Sequence, residues 1–232
     1  ILSVIAIVAN FVDMGTFGDF MINYSYIFHF VTALGMVTLF MFVDFNTISP
    51  GANDNLTGTY AAVCALRMLD MAGVDFENTE VCAMITDGEE AGLRGCKSWA
   101  KNHYDEYVNS GVETVVLCVD TLTDRDYLRV YNKDMTGTVK NNQQFSQLVM
   151  DASKDAGHDD IELSSVFFGS SDAAAFSQAG ITATCLAAMD PRPADYYHNR
   201  RDTADRLVPE TIKTGFDVII STILNFDEKG LN

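Results

Sequence analysis

The sequence predicts an α/β fold: a three-layer α/β/α sandwich around a mostly parallel central sheet, preceded by an apolar N-terminal segment. Three observations carry that expectation. From residue 50 onward, short apolar runs alternate with segments of helical apolar spacing. The short runs are apolar at successive positions rather than at every second one, as in strands covered on both faces. The chain has 232 residues, 48% of them apolar, which is enough for one sizeable core.

Residues 1–45 differ in character from the rest. No Lys or Arg precedes Arg67, and Asp13, Asp19 and Asp44 are the only charged residues among the first 45. Residues 24–43 carry no formal charge over about the length of a membrane-spanning helix, and residues 1–12 read as the remainder of another. Without a basic leader or a small-residue cleavage site, the segment is a poor match to a signal peptide. The competing reading is a pair of buried strands and a core helix, supported by Gly35, Thr38 and the β-branched content. The membrane reading is favoured, so the chain is expected at a membrane, or otherwise in the cytoplasm. The missing basic flanks leave orientation open. The first residue is Ile rather than Met, compatible with a chain that begins inside a larger protein.

Residues 46–232 form the expected catalytic domain. Residues 56–71 have helical spacing and stop at Gly73. Residues 80–86 read as a buried strand, 91–103 as a helix, 114–120 and 127–131 as strands, and 141–156 as a helix. Residues 161–168 read as a strand leading into Gly169-Ser-Ser-Asp172, and 173–178 as a short helix ended by Gly180. Residues 181–188 read as a strand and 209–226 as the last helix, with Pro209 at a favourable early position.

Charge and cysteine content narrow the function. The 32 acidic residues against 15 basic ones argue against nucleic-acid binding, because phosphate would be repelled. The plain reading of this acidity is solubility, but the same field attracts cationic amines. The five cysteines, Cys64, Cys82, Cys96, Cys118 and Cys185, are odd in number and contain no CxxC pair. They read as buried reduced thiols.

Four motifs carry chemistry. Gly51-Ala-Asn-Asp54-Asn55 places Asp54 just ahead of a helix. Asp87-Gly-Glu89-Glu90 places paired carboxylates just after a strand, so that one can bind a metal while its neighbour handles protons. Asp120 closes an apolar run, and Tyr197-His198 follows the last strand. Ligands of open α/β sheets gather beyond the carboxyl ends of strands, and Asp, Glu and His donors collected there suit Zn²⁺. Each motif alone has a plainer meaning. Asp54 could cap a helix, the Glu pair could favour a helix N-terminus, Asp120 could be a turn residue, and Tyr197 could be packing. Their ordered combination decides against those readings. The sequon Asn55-Leu-Thr57 falls within the same site and is discounted.

That combination, with Ser171-Asp172 and the stretch Tyr196-Tyr-His-Asn-Arg-Arg-Asp202, resembles the co-catalytic zinc aminopeptidase family over roughly residues 42–228. The family also includes glutaminyl cyclases and transferrin-receptor-like proteins. The resemblance implies one or two zinc ions and a peptide substrate with a free N-terminus. It makes Asp54 the bridging ligand, Glu90 and His198 ligands of one metal, and Asp120 a ligand of the other. It makes Glu89 the general base and Tyr197 a donor to the oxyanion. Asp44, Asn55, Asp172 and Asp202 fall at supporting or pocket positions, and a cis peptide is expected after Asp54. The sequence departs from the family at Phe42-Val-Asp44, which stands where His-x-Asp is expected. Either the histidine strand lies upstream, or Phe42 has replaced the ligand and a three-ligand site of Asp54, Glu90 and His198 remains. The expected activity is an aminopeptidase. The alternatives are a single-zinc glutaminyl cyclase-like acyltransferase and a non-catalytic receptor-like domain.

Overall fold

The computed structural model describes residues 1–42, 46–190, 192 and 194–231, the side chains of 40–42 excepted. They divide into two compact units, Ile1–Ile48 and Ser49–Asn232.

The first unit is helical: α1 (Leu2–Val8), α2 (Gly15–Asn23) and α3 (Ser25–Phe42). Its core is small, with Ala6, Ala9 and Met21 buried and Ile5 and Phe28 packed against them. The Ser3 hydroxyl donates to the Phe28 carbonyl at 2.7 Å, which fastens α1 to α3. Among the described residues no single helix is long and apolar enough to cross a membrane. The pair Gly15–Asn23 and Ser25–Leu39 meets the length and composition requirement together, bent by 58°.

The second unit contains α4 (Gly58–Met71), α5 (Arg94–Tyr107), β1 (Val115–Leu122), β2 (Leu128–Asp134), β3 (Val139–Lys140), α6 (Gln143–Asp155), β4 (Glu162–Ser165), α7 (Asp172–Gln178), β5 (Thr182–Ala188) and α8 (Pro209–Lys229). The strands form one sheet in the order β1-β5-β2-β3, with β4 also paired to β2.

Three layers follow from the pleat of β5. Ala183, Cys185 and Ala187 face one cluster with Cys96 and Ala100 of α5 and Ala173 to Phe176 of α7. Leu186 and Ala188 face the other cluster, with Ala61 and Ala65 of α4, Phe145 and Val149 of α6, and Val218 and Ile219 of α8. Successive side chains of a strand point to opposite faces, so a strand apolar at every position must be covered on both.

Two expectations change. The sheet is mixed rather than mostly parallel: β1/β5 and β2/β4 are parallel, whereas β2/β5 and β2/β3 are antiparallel. The reason is the short link from Leu122 to Leu128. A parallel return needs a crossover of about a dozen residues or more, so β2 must reverse direction. Residues 80–86 form no regular element and join no ladder among the described residues. They and β1 both line a cavity of about 960 Å³. Apolar content favours a strand there, but a strand also needs a neighbour for its backbone bonds. Cys64 and Cys82 are exposed rather than buried. Cys96 and Cys185 are buried, and all five cysteines are free thiols.

Candidate metal centre

Three chain segments carry the candidate residues, and the cavity beside β1 is lined by two of them and by the end of β1 itself. Asp54, Glu89, Glu90, Asp120 and Asp172 line that cavity, and among the described residues no Lys or Arg does.

The first segment is a wide turn, Ala52–Thr57, entered through Gly51 in the left-handed region. A side chain on Gly51 would meet the Asp54 carbonyl oxygen at 2.8 Å, so glycine is required twice over. Inside the turn Asp54 and Asn55 leave helical geometry, and the peptide between them is cis. Hydrogen bonds define this loop. The buried carboxylate of Asp202 accepts the backbone N–H groups of Asn53 at 2.8 Å and Asp54 at 2.9 Å. The Asn55 amide donates to the Val119 carbonyl and accepts from the backbone N–H groups of Gly58 and Thr121. Asn55 therefore ties the loop to β1, and Asp54 is held by its backbone beside Asp120.

The second segment is the turn after residues 80–86. Gly88 is left-handed, and the Glu89 carbonyl accepts from Gly92 and Leu93 at 2.9 and 2.7 Å. This turn presents Glu89 and Glu90 next to each other. The third segment is the loop after β5. His198 adopts φ 56°, uncommon for a residue with a Cβ. Its ring stacks on that of Tyr197, with centroids 3.7 Å apart.

These segments bring Asp54, Glu90 and His198 together, each offering one donor atom within 4.8 Å of the others. His198 Nε2 lies 3.3 Å from Asp54 and 2.9 Å from Glu90. Asp120 stands outside that trio but in the same cavity, with a buried oxygen that has no partner among the described residues. Asp172 supplies another such oxygen, while its second oxygen accepts from Thr86 at 3.0 Å. Asp44 lies outside the described residues, and the side chain of Phe42 is likewise not described.

The electrostatics follow from crowding acids in a partly dry site. Burial first, then repulsion by Glu90, Asp172 and Asp54, raises Glu89 to about 7, with His198 opposing the shift. Burial and the neighbouring Asp54, Glu89 and Asp172 push Asp120 well above the usual carboxylate range. Hydrogen bonds to Asp54 and Glu90 raise His198 to about 10. Burial, then Asp54, pushes the Tyr197 phenol far up, so it keeps its proton. A carboxylate that ionises near neutrality beside three convergent donors has the makings of a base next to a metal.

The donor set fits zinc. Two carboxylates and one imidazole are its ordinary ligands, and the orphaned oxygen of Asp120 is a buried acceptor that lacks a counter-charge. Sequence reasoning named Asn55 and Asp202 but missed other residues that hold this arrangement. Asn53 is 1% exposed and Tyr196 is 6% exposed. Buried Asp134 accepts from the backbone N–H and hydroxyl of Ser171 at 2.9 and 2.6 Å, fixing the turn before Asp172. Asn53 was visible within its motif. Asp134 offered no local signal, because its partner lies 37 residues away.

Known proteins resemble this chain in sequence profile and in fold. The profile of peptidase family M28 matches residues 36–223. No curated protein matches the chain by sequence. Among solved structures, a zinc aminopeptidase from Bacillus subtilis, BSAP, is 23% identical over 75% of this chain and 42% of its own, with a TM-score of 0.61. LapB from Legionella pneumophila is 16% identical over 82% and 50%, with a TM-score of 0.65. A glutaminyl cyclase from an Acidobacteriales bacterium is 16% identical over 78% and 63%, with a TM-score of 0.57. At these identities the likeness is one of fold, and the chain spans less than two thirds of each of these structures.

Proposed function

Because the chain belongs to peptidase family M28, we propose that it is a zinc exopeptidase that removes N-terminal residues from peptides. Family membership makes it a zinc metallopeptidase, and the aminopeptidase specificity is read from the site. The observation that carries it is the placement of Glu89, raised to about 7, against the donor trio Asp54, Glu90 and His198.

Asp54, Glu90 and His198 would hold one zinc, and Asp120 with Asp54 would serve a second. Bound zinc supplies Lewis acidity toward the scissile carbonyl and the attacking water. Glu89 accepts the proton of that water and returns it to the leaving amine. Tyr197, held protonated, donates a hydrogen bond to the oxygen on which charge develops. The carboxylate lining without Lys or Arg favours the free α-ammonium group of a peptide.

The second reading, a single-zinc glutaminyl cyclase-like acyltransferase, draws support from the trio being a three-ligand set with Asp120 apart. The third, a non-catalytic receptor-like domain, rests on Phe42 standing where a histidine is expected. Zinc per chain, cleavage of aminoacyl anilides with free and acetylated amines, and cyclisation of N-terminal glutamine separate the three. Cleavage of the free amine alone supports the aminopeptidase. Cyclisation without cleavage replaces it with the second reading, and a zinc-replete protein inert to both replaces it with the third.

Residues 1–45, set apart from the domain 46–232, are the segment proposed to meet a membrane. Support comes from the bent helical pair and from exposed Phe17, Phe20, Phe30 and Leu34. Flotation with neutral lipid vesicles tests this, and protein left at the bottom of the gradient would refute it.

A further inference from the structure

The side chain of Asn53 bonds to β1 and to the 196–202 loop, while its backbone belongs to the turn that carries Asp54. Its amide nitrogen donates to the Tyr196 hydroxyl at 3.0 Å. Its amide oxygen accepts the Leu122 backbone N–H at 2.9 Å and the Thr57 hydroxyl at 3.3 Å. The Tyr196 hydroxyl in turn donates to Asp124 at 2.5 Å. The same Asp124 oxygen accepts the Asp190 backbone N–H at 3.1 Å. This is one buried relay across three chain segments distant in sequence.

Three of its members lie one or two residues from a candidate ligand. Asn53 precedes Asp54, Leu122 lies two residues beyond Asp120, and Tyr196 lies two residues before His198. Asn53 is 1% exposed and Tyr196 6% exposed, so neither bond competes with water. Asp202 already fixes the backbone of residues 53 and 54. It bonds main chain only, and it approaches from the far end of the 196–202 loop. The bond between Asn53 and Tyr196 is the side-chain link nearest to both Asp54 and His198.

We infer that Asn53 and Tyr196 act as one positioning pair, whose mutual hydrogen bond sets the separation of the donors on Asp54 and His198 and thereby the affinity for zinc. This rests on the reading of those two residues as zinc donors. Asn53 and Tyr196 are positioning residues and stand outside the donor trio. Partners that orient ligands typically change metal affinity by about 10–100-fold when removed.

The test is a double-mutant cycle read on zinc affinity: wild type, Asn53→Ala, Tyr196→Phe and the double variant, each titrated with zinc against a competing chelator. Circular dichroism and thermal melting of the metal-free proteins identify the temperature at which all are folded. Each single substitution is expected to weaken zinc about 10-fold, and the double about as much as either single, because both remove the same bond. A purely structural role would lower melting temperatures and leave zinc affinity in the folded proteins unchanged, which would overturn the inference. So would single effects that multiply. If Asn53→Ala does not fold, Tyr196→Phe decides alone, and zinc affinity within twofold of wild type overturns the inference. The affinity readout is separate from turnover. A protein that binds zinc but cleaves no peptide loses the exopeptidase reading, while a non-additive loss of affinity still supports the pair.

Discussion

The Nε2 atom of His198 lies 2.9 Å from the Oε1 atom of Glu90, two residues separated in the chain by most of the sheet. Burial does not hold them together, since their side chains are 45% and 59% exposed. An ion pair that open contributes little by itself. The backbone sets their distance. Glu90 rides on a turn closed by the Glu89 carbonyl, and His198 sits in a left-handed loop conformation. Two donors aimed at each other by their main chains are prepared to share a cation.

Replacing Glu89 by Gln keeps the shape of the side chain and removes its ability to take a proton. Zinc content is expected to stay at the wild-type value, while kcat falls by about 10²–10⁴-fold. Turnover and elemental analysis on the same preparation check this. Unchanged turnover would remove Glu89 from the role of base.

His198→Ala deletes the only nitrogen donor of the trio. The expected result is loss of zinc from that position and loss of peptide cleavage, with the fold intact because the ring is half exposed. If the wild type holds two ions, the variant should retain at most one. Full zinc occupancy in this variant would show that the donors lie elsewhere.

The metal-free protein should lose stability as pH rises. Glu89 is raised from 4.5 to about 7, so the folded state binds its proton more tightly and loses that advantage as pH climbs from 4.5 through 7. His198 is raised from 6.5 to about 10. Its contribution is complete below 6.5 and gone above 10. Both effects have the same sign. Metal-free protein should melt a few degrees higher at pH 6 than at pH 9, the size reduced by the exposure of His198. Zinc should reverse the order, since it binds the deprotonated ligands. A metal-free protein more stable at pH 9 would refute the charge arrangement.

Gly58 marks the closest approach of α4 to β1. A Cβ there would fall against the Val119 carbonyl oxygen and the Asn55 amide. Gly58→Ala must push the helix away from the strand that carries Asp120, at a cost of about 1–3 kcal/mol. A melting point lowered by several degrees, together with weaker zinc binding, is expected. A wild-type melting point would show that this helix has room to move.

Much of the fold was legible because apolar periodicity reports burial directly. The spacing within α4, α6 and α8 and the apolar runs of β1 and β5 each point to a covered surface, and each element forms near its predicted place. Residues 80–86 carry the same apolar signal and form no ladder. Periodicity records which side chains want cover, not which neighbour supplies the backbone bonds. The direction of β2 was missed although it was legible. Loop length decides it, and the short link between the expected strands 114–120 and 127–131 already pointed to a reversal.

By itself, the sequence determined the layered α/β class and the residue types available to a site. Carboxylates beside a histidine at strand ends can serve few purposes besides cation and proton handling. Only the tertiary structure decided which donors converge, that Asp54, Glu90 and His198 meet while Asp120 stands apart, and that Asn53 bonds to Tyr196 and to Asp202 next to them. Residue identity sets what a side chain can bond to. Its partner is set by where folding brings distant segments, and no local pattern encodes that distance.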